Sequence, residues 1–268
     1  MAWIRRLVRL PLMLALLAAG LATLRLAFPF MREPARRRTV RAWSRALVWS
    51  TGFTLVERPA PGARTLAELP PGRLLLANHV SWVDIFAIDA LCPVAFVAKS
   101  EVAGWPLLGT LAALTGTLFI ERGRRHAVHR MIEHLEHALG AGARIGVFPE
   151  GTTSDGLRLL PFHANLAQAA VTARAPIVPV GLRYLDATGA PSRSVEYVGD
   201  TTFLTSVWRL TGAPRQTCEV HALPEFAADG LTRHACAQRA RAEISRRLAL
   251  PLEDSLPERL RDLRAAPR

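Results

Sequence analysis

Lysine is almost missing from this chain. Lys99 is the single lysine among 34 basic residues, so the formal net charge of +12 is carried by arginine. A guanidinium is a planar, permanently charged fork, whereas an ammonium is a compact point charge. Lys99 is therefore a candidate for a role that arginine does not fill. It follows the apolar run Val94-Ala95-Phe96-Val97-Ala98, where a solvated strand terminus explains it equally well. Cysteine is scarce too. Cys92, Cys218 and Cys236 are odd in number and far apart, which excludes a disulfide framework and a zinc spacing and fits a reducing compartment. No Gly-x-Ser-x-Gly elbow occurs, and Gly151-Thr152-Thr153-Ser154-Asp155-Gly156 lacks that spacing, which counts against a serine lipase or esterase. The basic charge comes without a nucleic-acid motif. An anionic membrane surface accounts for it at least as well, and so does a polyanionic co-substrate, with no nucleic acid as partner.

What is present begins with an apolar N-terminus. Leu10 to Leu24 is apolar apart from Thr23, and the run resumes beyond Arg25 as far as Met31. Fifteen residues fall short of the ~20 that a membrane helix needs, but a snorkelling Arg25 extends the count. A spanning helix, an interfacial or re-entrant helix and a cleaved signal peptide all fit. Arg32, Arg36, Arg37, Arg38, Arg41 and Arg45 follow at once and resist translocation. The pattern favours an uncleaved anchor with the rest of the chain on the cytoplasmic side of a bacterial-type inner membrane.

Residues 33–56 read as an amphipathic helix on the bilayer, and equally as a helix packed on the domain behind it. This gives an N-terminal appendage over residues 1–56, a Pro-rich linker over 57–72, a domain over 73–250 and a polar tail over 251–268. In the domain, apolar runs near 73–77, 94–98, 117–120, 144–148 and 177–181 predict strands. Later strands are expected near 194–198 and 217–222. Helices are expected near 82–91, 106–114, 126–140, 163–174 and 232–248. The alternation predicts an α/β fold: a single mostly parallel sheet flanked by helices, with membrane-associated helices at the N-terminus. His126, His129, His134 and His137 lie largely off the apolar stripe of the helix near 126–140 and read as a solvated face rather than a metal site.

Two strand ends carry the chemistry. Asn78-His79-Val80-Ser81-Trp82-Val83-Asp84 follows Leu74-Leu75-Leu76-Ala77. Ser81 followed by Asp84 resembles a capping box, so a helix starting at Trp82 leaves His79 in the turn before it. The Asp84 side chain then leans back and can reach the imidazole, which a carboxylate turns into a general base. Asp84 as a mere helix cap is the alternative. The second strand end is Phe148-Pro149-Glu150-Gly151-Thr152, after Ile145-Gly146-Val147. Two such ends in an alternating chain point to one site at one edge of a sheet.

These blocks resemble the glycerolipid acyltransferase family typified by 1-acyl-sn-glycerol-3-phosphate acyltransferase. Asn78 to Asp84 is similar to its His-x-x-x-x-Asp block. Phe119-Ile120-Glu121-Arg122 is similar to its second block, Phe148 to Thr152 to its third and Ile177-Val178-Pro179-Val180-Gly181 to its fourth. The resemblance covers roughly residues 70–185. It implies His79 and Asp84 as catalytic residues, and Asn78, Lys99, Phe119, Arg122, Glu150, Gly151, Thr152, Thr153 and Pro179 as substrate contacts. It implies a lysolipid acceptor and a thioester of acyl carrier protein or coenzyme A as co-substrate, with no metal and no cofactor. A non-catalytic lipid-binding protein on the same fold is the alternative.

One departure bears on the acceptor. Where phosphatidate-forming relatives usually carry arginine after Glu-Gly-Thr, this chain has Thr153. The Glu-Gly-Thr-Thr-Ser form is similar to lyso-ornithine lipid acyltransferases and some lysophospholipid acyltransferases. Losing a guanidinium removes a bidentate phosphate clamp. A lyso-ornithine lipid acceptor is therefore expected ahead of lysophosphatidate, with Arg122 and Arg158 still near in sequence.

Overall fold

A computed structural model describes residues 1–104, 108–120 and 125–253. The chain opens with α1 (Ala2–Ala22), a π-helical turn (Thr23–Ala27), a 3-10 turn (Phe28–Phe30) and α2 (Glu33–Ser50). Then follow β1 (Phe53–Glu57), β2 (Arg73–Ala77), α3 (Val83–Asp89), β3 (Ala95–Lys99), α4 (Ser100–Ala103), α5 (Leu108–Leu114) and β4 (Leu118–Ile120). The last elements are α6 (Arg125–Gly140), β5 (Arg144–Val147), α7 (Ala167–Thr172), β6 (Ile177–Leu185), α8 (Phe203–Gly212), β7 (Gln216–Ala222) and α9 (Arg233–Leu248).

The seven strands form one sheet in the order β1-β7-β6-β2-β5-β3-β4. The five from β6 to β4 are mutually parallel, β7 is antiparallel to β6, and β1 is parallel to β7. Strands covered on both faces read as unbroken apolar runs, which is why Leu74-Leu75-Leu76-Ala77 shows no alternation. Alternation sorts the same residues into two layers. Leu75, Ala77, Val178 and Val180 face a layer containing Met13, Leu17, Leu47 and Val83. Leu74, Leu76, Ile145, Val147 and Ile177 face the other, with Leu135, Ala170 and Ile244. The C-terminal ends of β2 and β5, in register at Leu76 and Val147, therefore lie side by side at one sheet edge.

Two expectations need correcting. Residues 194–198 form no strand, and the sequence division at residue 56 falls inside β1. Helix α2 ends at Ser50 and Gly52 takes φ +98°, so the chain reverses and Phe53–Glu57 pairs with β7 in register from Phe53 and Gln216. Helix α8 is not announced by its mixed Phe-Leu-Thr-Ser-Val-Trp sequence. It is started by Thr202, whose hydroxyl accepts the Thr205 N–H at 3.2 Å.

Helix α1 is long enough to test the anchor expectation. An 18-residue window of the helical segment Ala2–Phe30 has a mean hydropathy of 2.0, so the segment is long and apolar enough to cross a membrane. Yet one side of it belongs to the domain core through Met13, Leu17 and Leu24. Its arginines terminate α8: Arg5 Nε donates to the Gly212 carbonyl at 2.8 Å and Arg9 Nη1 to the Ala213 carbonyl at 2.6 Å. Cations at those orphaned carbonyls also complement the helix dipole. Trp43 of α2 donates its indole N–H to the Leu16 carbonyl at 2.6 Å. The opposite face of α1 leaves Trp3, Ile4, Leu7, Val8 and Leu14 exposed, continuous with Trp208 of α8 through a Trp3–Trp208 edge contact at 5.3 Å.

Candidate active site

The turn after β2 is built by one carboxylate. Asp84 is fully buried in the first turn of α3. Its Oδ2 accepts the N–H of Val80 at 2.7 Å and of Ser81 at 2.9 Å, and it meets His79 Nδ1 at 2.7 Å. Its Oδ1 accepts the Tyr184 hydroxyl at 2.5 Å. A buried charge is tolerable only when donors surround it, and here four do. Helix capping and imidazole orientation are thus tasks of the same oxygen. The expected start at Trp82 moves to Val83, and Ser81 makes no side-chain cap. The amides of Val80 and Ser81 are committed to Asp84, so they do not serve as oxyanion donors.

His79 is fixed from both sides. Its N–H donates to Glu150 Oε1 at 2.8 Å, and its carbonyl accepts the Ser154 N–H at 2.8 Å and the Ser154 hydroxyl at 3.1 Å. Its ring lies flat on Phe148, with centroids 4.0 Å apart and planes at 13°. Phe148 stacks in turn on Phe96 at 5.6 Å. Gly146 makes room for that ring, since a Cβ there would sit 2.7 Å from Phe96. Asp84 takes Nδ1, which leaves Nε2 as the nitrogen free for chemistry.

The imidazole lines a cavity of about 480 Å³ whose walls include Trp82, Phe86, Phe96, Leu111 and Phe148. Thr152, Thr153 and Gly151 line it as well, and Gly151 takes φ +70°, which turns the loop back beside His79. Asp89 is a further acid on its wall. Burial pushes its carboxyl up to about 8, against the Val94 N–H that it accepts at 3.1 Å.

Several of the expected substrate contacts have partners within the fold. Asn78 is buried and exchanges two hydrogen bonds with the Leu182 backbone, at 3.0 and 2.7 Å, extending the β2–β6 ladder beyond Ala77. Glu150 is fully buried, with Oε1 on His79 N–H and Oε2 on Leu160 N–H at 3.3 Å. Burial raises its carboxyl to about 8 although both N–H groups pull it down. Pro179 is buried within β6, where its carbonyl accepts the Leu223 N–H just before the antiparallel ladder begins, a place that needs no donor. Phe119 lies half-buried on β4 opposite Ala98, and Lys99 ends β3 opposite Ile120. Arg122 lies outside the described residues. Arg158 is paired with Glu253 at 3.0 Å and Asp155 at 3.7 Å. The Thr153 hydroxyl donates to the Tyr197 carbonyl.

The sequence reading missed Tyr184, Ser154, Asp89 and the stacking role of Phe148. Tyr184 had a signal: Val180, Leu182 and Tyr184 alternate onto the face of β6 that looks toward α3.

Comparison with known proteins adds to this geometry. A family model described as Acyltransferase matches residues 43–183. The chain is 41% identical over 165 residues to the 1-acyl-sn-glycerol-3-phosphate acyltransferase of Neisseria gonorrhoeae, covering 62% of each protein. It thus spans less than two thirds of the length of that relative. It is 35% identical over 260 residues to the lyso-ornithine lipid O-acyltransferase of Pseudomonas aeruginosa, covering 93% of this chain and 95% of that one. The crystal structure of the 1-acyl-sn-glycerophosphate acyltransferase from Thermotoga maritima superposes with a TM-score of 0.67 over the whole of both chains, at 17% identity, which speaks for the fold. With the family model spanning the turn after β2 and the loop after β5, the chain belongs to the acyltransferase family.

Proposed function

We propose that this protein is a membrane-associated O-acyltransferase. It moves a fatty acyl group from a thioester of acyl carrier protein or coenzyme A to a hydroxyl of a lysolipid. The observation that carries the reading is the His79–Asp84 pair at 2.7 Å, set in the wall of a largely apolar cavity. Nε2 takes the proton of the acceptor hydroxyl while its oxygen attacks the thioester carbonyl. The tetrahedral intermediate collapses, the C–S bond breaks, an ester C–O bond remains and the proton leaves with the thiol. Asp84 keeps Nδ1 protonated and supports the transient imidazolium. No acyl-enzyme is required.

Lyso-ornithine lipid is the preferred acceptor in this reading. Thr153 stands where a guanidinium would grip a phosphomonoester, and the Pseudomonas relative of that name aligns over nearly the whole chain. The exposed face of α1 enters the lipid of a bacterial inner membrane from the cytoplasmic side. The arginines that bind α1 to α8 favour a helix lying on the membrane over one leaving the domain to span it. Purified protein assayed with lyso-ornithine lipid and lysophosphatidate, each with acyl carrier protein and coenzyme A thioesters, tests both choices. Release of free thiol that needs a lysolipid supports transfer. A clear preference for lysophosphatidate overturns the acceptor, and absence of thiol release with every pair overturns the enzyme reading.

A further inference from the structure

We infer that Tyr184 is a positioning residue for the dyad, acting on His79 through Asp84; this rests on the acyl-transfer reading above. The phenol reaches Asp84 from β6, the strand beside β2, whose end carries His79. Its hydroxyl donates to Oδ1 at 2.5 Å, while Oδ2 takes His79 Nδ1 and two backbone amides. Each carboxylate oxygen is therefore claimed from its own side. Rotation of the carboxylate would break either the phenol bond or the three bonds at Oδ2.

The tyrosine is itself rigid. It is buried, and its ring meets Phe53 of β1 edge-on at 5.1 Å and 66°. Asn78 locks Leu182, two residues earlier on the same strand, to the start of the His79 turn. Burial and the Asp84 charge hold the phenol well above its ordinary value, so it remains a donor. The consequence for catalysis is specific. As Nε2 gains a proton, the imidazolium needs Asp84 in the plane of its Nδ1–H. Tyr184 removes the freedom of the carboxylate to turn away from it. It touches no reacting atom, and the cavity wall does not include it.

The test uses the full chain in phospholipid–detergent micelles, with the lysolipid and thioester that the wild type turns over. Tyr184→Phe, Asp84→Asn and the double variant are compared. Tyr184→Phe is expected to lower kcat about tenfold, the order of one hydrogen bond to a charged group, with KM for both substrates unchanged. In the Asp84→Asn background the same change is expected to cost nothing further, because its route to His79 is already cut. Equal kcat in wild type and Tyr184→Phe, or the same fold loss in both backgrounds, overturns the inference. A second readout needs no turnover: the proton resonance of His79 Nδ1–H, assigned by its loss in His79→Gln, is expected to move in Tyr184→Phe. A resonance that stays in place also overturns it. Failure of the acyl-transfer reading looks different, as wild type without transfer or His79→Ala as active as wild type.

Discussion

The Glu150 carboxyl group holds the backbone N–H of His79 at 2.8 Å from a neighbouring strand end. This one bond ties the loop after β5 to the turn after β2, and the second oxygen on Leu160 fixes the loop itself. An acid so enclosed holds the His79 turn in place with both of its oxygens.

Glu150→Gln tests that. Both carboxyl oxygens keep a lone pair for an inward-pointing N–H even when the group is protonated, whereas a glutamine NH₂ accepts nothing, so one of the two N–H groups loses its partner. The expected cost is about 1–3 kcal/mol of stability. The kcat falls through a displaced His79 while KM for the lysolipid holds. Steady-state kinetics beside a thermal melt decide it. A raised lysolipid KM with kcat preserved would return Glu150 to acceptor binding.

His79→Ala is expected to lose about 10²–10⁴-fold in transfer, the range of a positioned general base. Asp84→Asn is expected to come close to that loss while staying folded. The amide oxygen can still accept the N–H groups of Val80 and Ser81, and the amide NH₂ can face the Tyr184 oxygen. What it lacks is the charge that supports the imidazolium. Retention of more than about a tenth of the rate in His79→Ala would remove His79 from the mechanism.

The sequence made the sheet and both functional turns legible for one reason. Strands buried on two faces, such as Leu74–Ala77 and Ile145–Val147, leave unbroken apolar runs, and each is followed by a polar turn. The role of individual turn residues was less legible. Asn78 and Glu150 sit in motif blocks, and nothing in a linear motif tells a side chain that binds backbone from one that binds substrate. Tyr184 reaches Asp84 from the neighbouring strand β6, with Phe53 of β1 packed against its ring, so their part depends on strand order, which spacing along the chain does not encode. The edge strand β1 was absorbed into the preceding helix because Phe53-Thr54-Leu55-Val56 continues the apolar pattern of Leu47-Val48-Trp49 without a break other than Gly52.

The outer face of α1 predicts how the protein is held. Leu7 and Leu14 are 72% and 58% exposed, beside Trp3 and Trp208. Apolar burial in lipid is not screened by salt, whereas arginine–phosphate contacts are. The protein is expected to stay with the membrane fraction through a high-salt wash. Leu7→Glu with Leu14→Glu is expected to release it without unfolding, since neither side chain is in the core. Deletion of residues 1–31 is expected to do something different. It removes Met13, Leu17 and Leu24 from the core and uncaps α8, so aggregated protein is the predicted product. A soluble, cooperatively folded deletion variant would show that α1 is an appendage after all.

Asp89 contributes a pH dependence of definite sign. Its folded value of about 8 lies above the ordinary carboxylate value of about 4, because burial disfavours the charged form. The folded chain therefore holds a proton that the unfolded chain has released between those limits. Stability from this group is complete below about pH 4, declines as pH rises and levels off above about 8. Glu150 is shifted the same way and adds to the slope. Asp89→Asn keeps an acceptor for the Val94 N–H and carries no charge at any pH. The variant is expected to lose less stability than wild type between pH 5 and about 8.5, with Glu150 and Glu57 adding to the residual slope and His221, shifted down by burial, opposing it. Thermal midpoints across that range measure it. Parallel curves for wild type and Asp89→Asn would mean that Asp89 is already ionised in the folded protein, with its charge met by water entering the cavity.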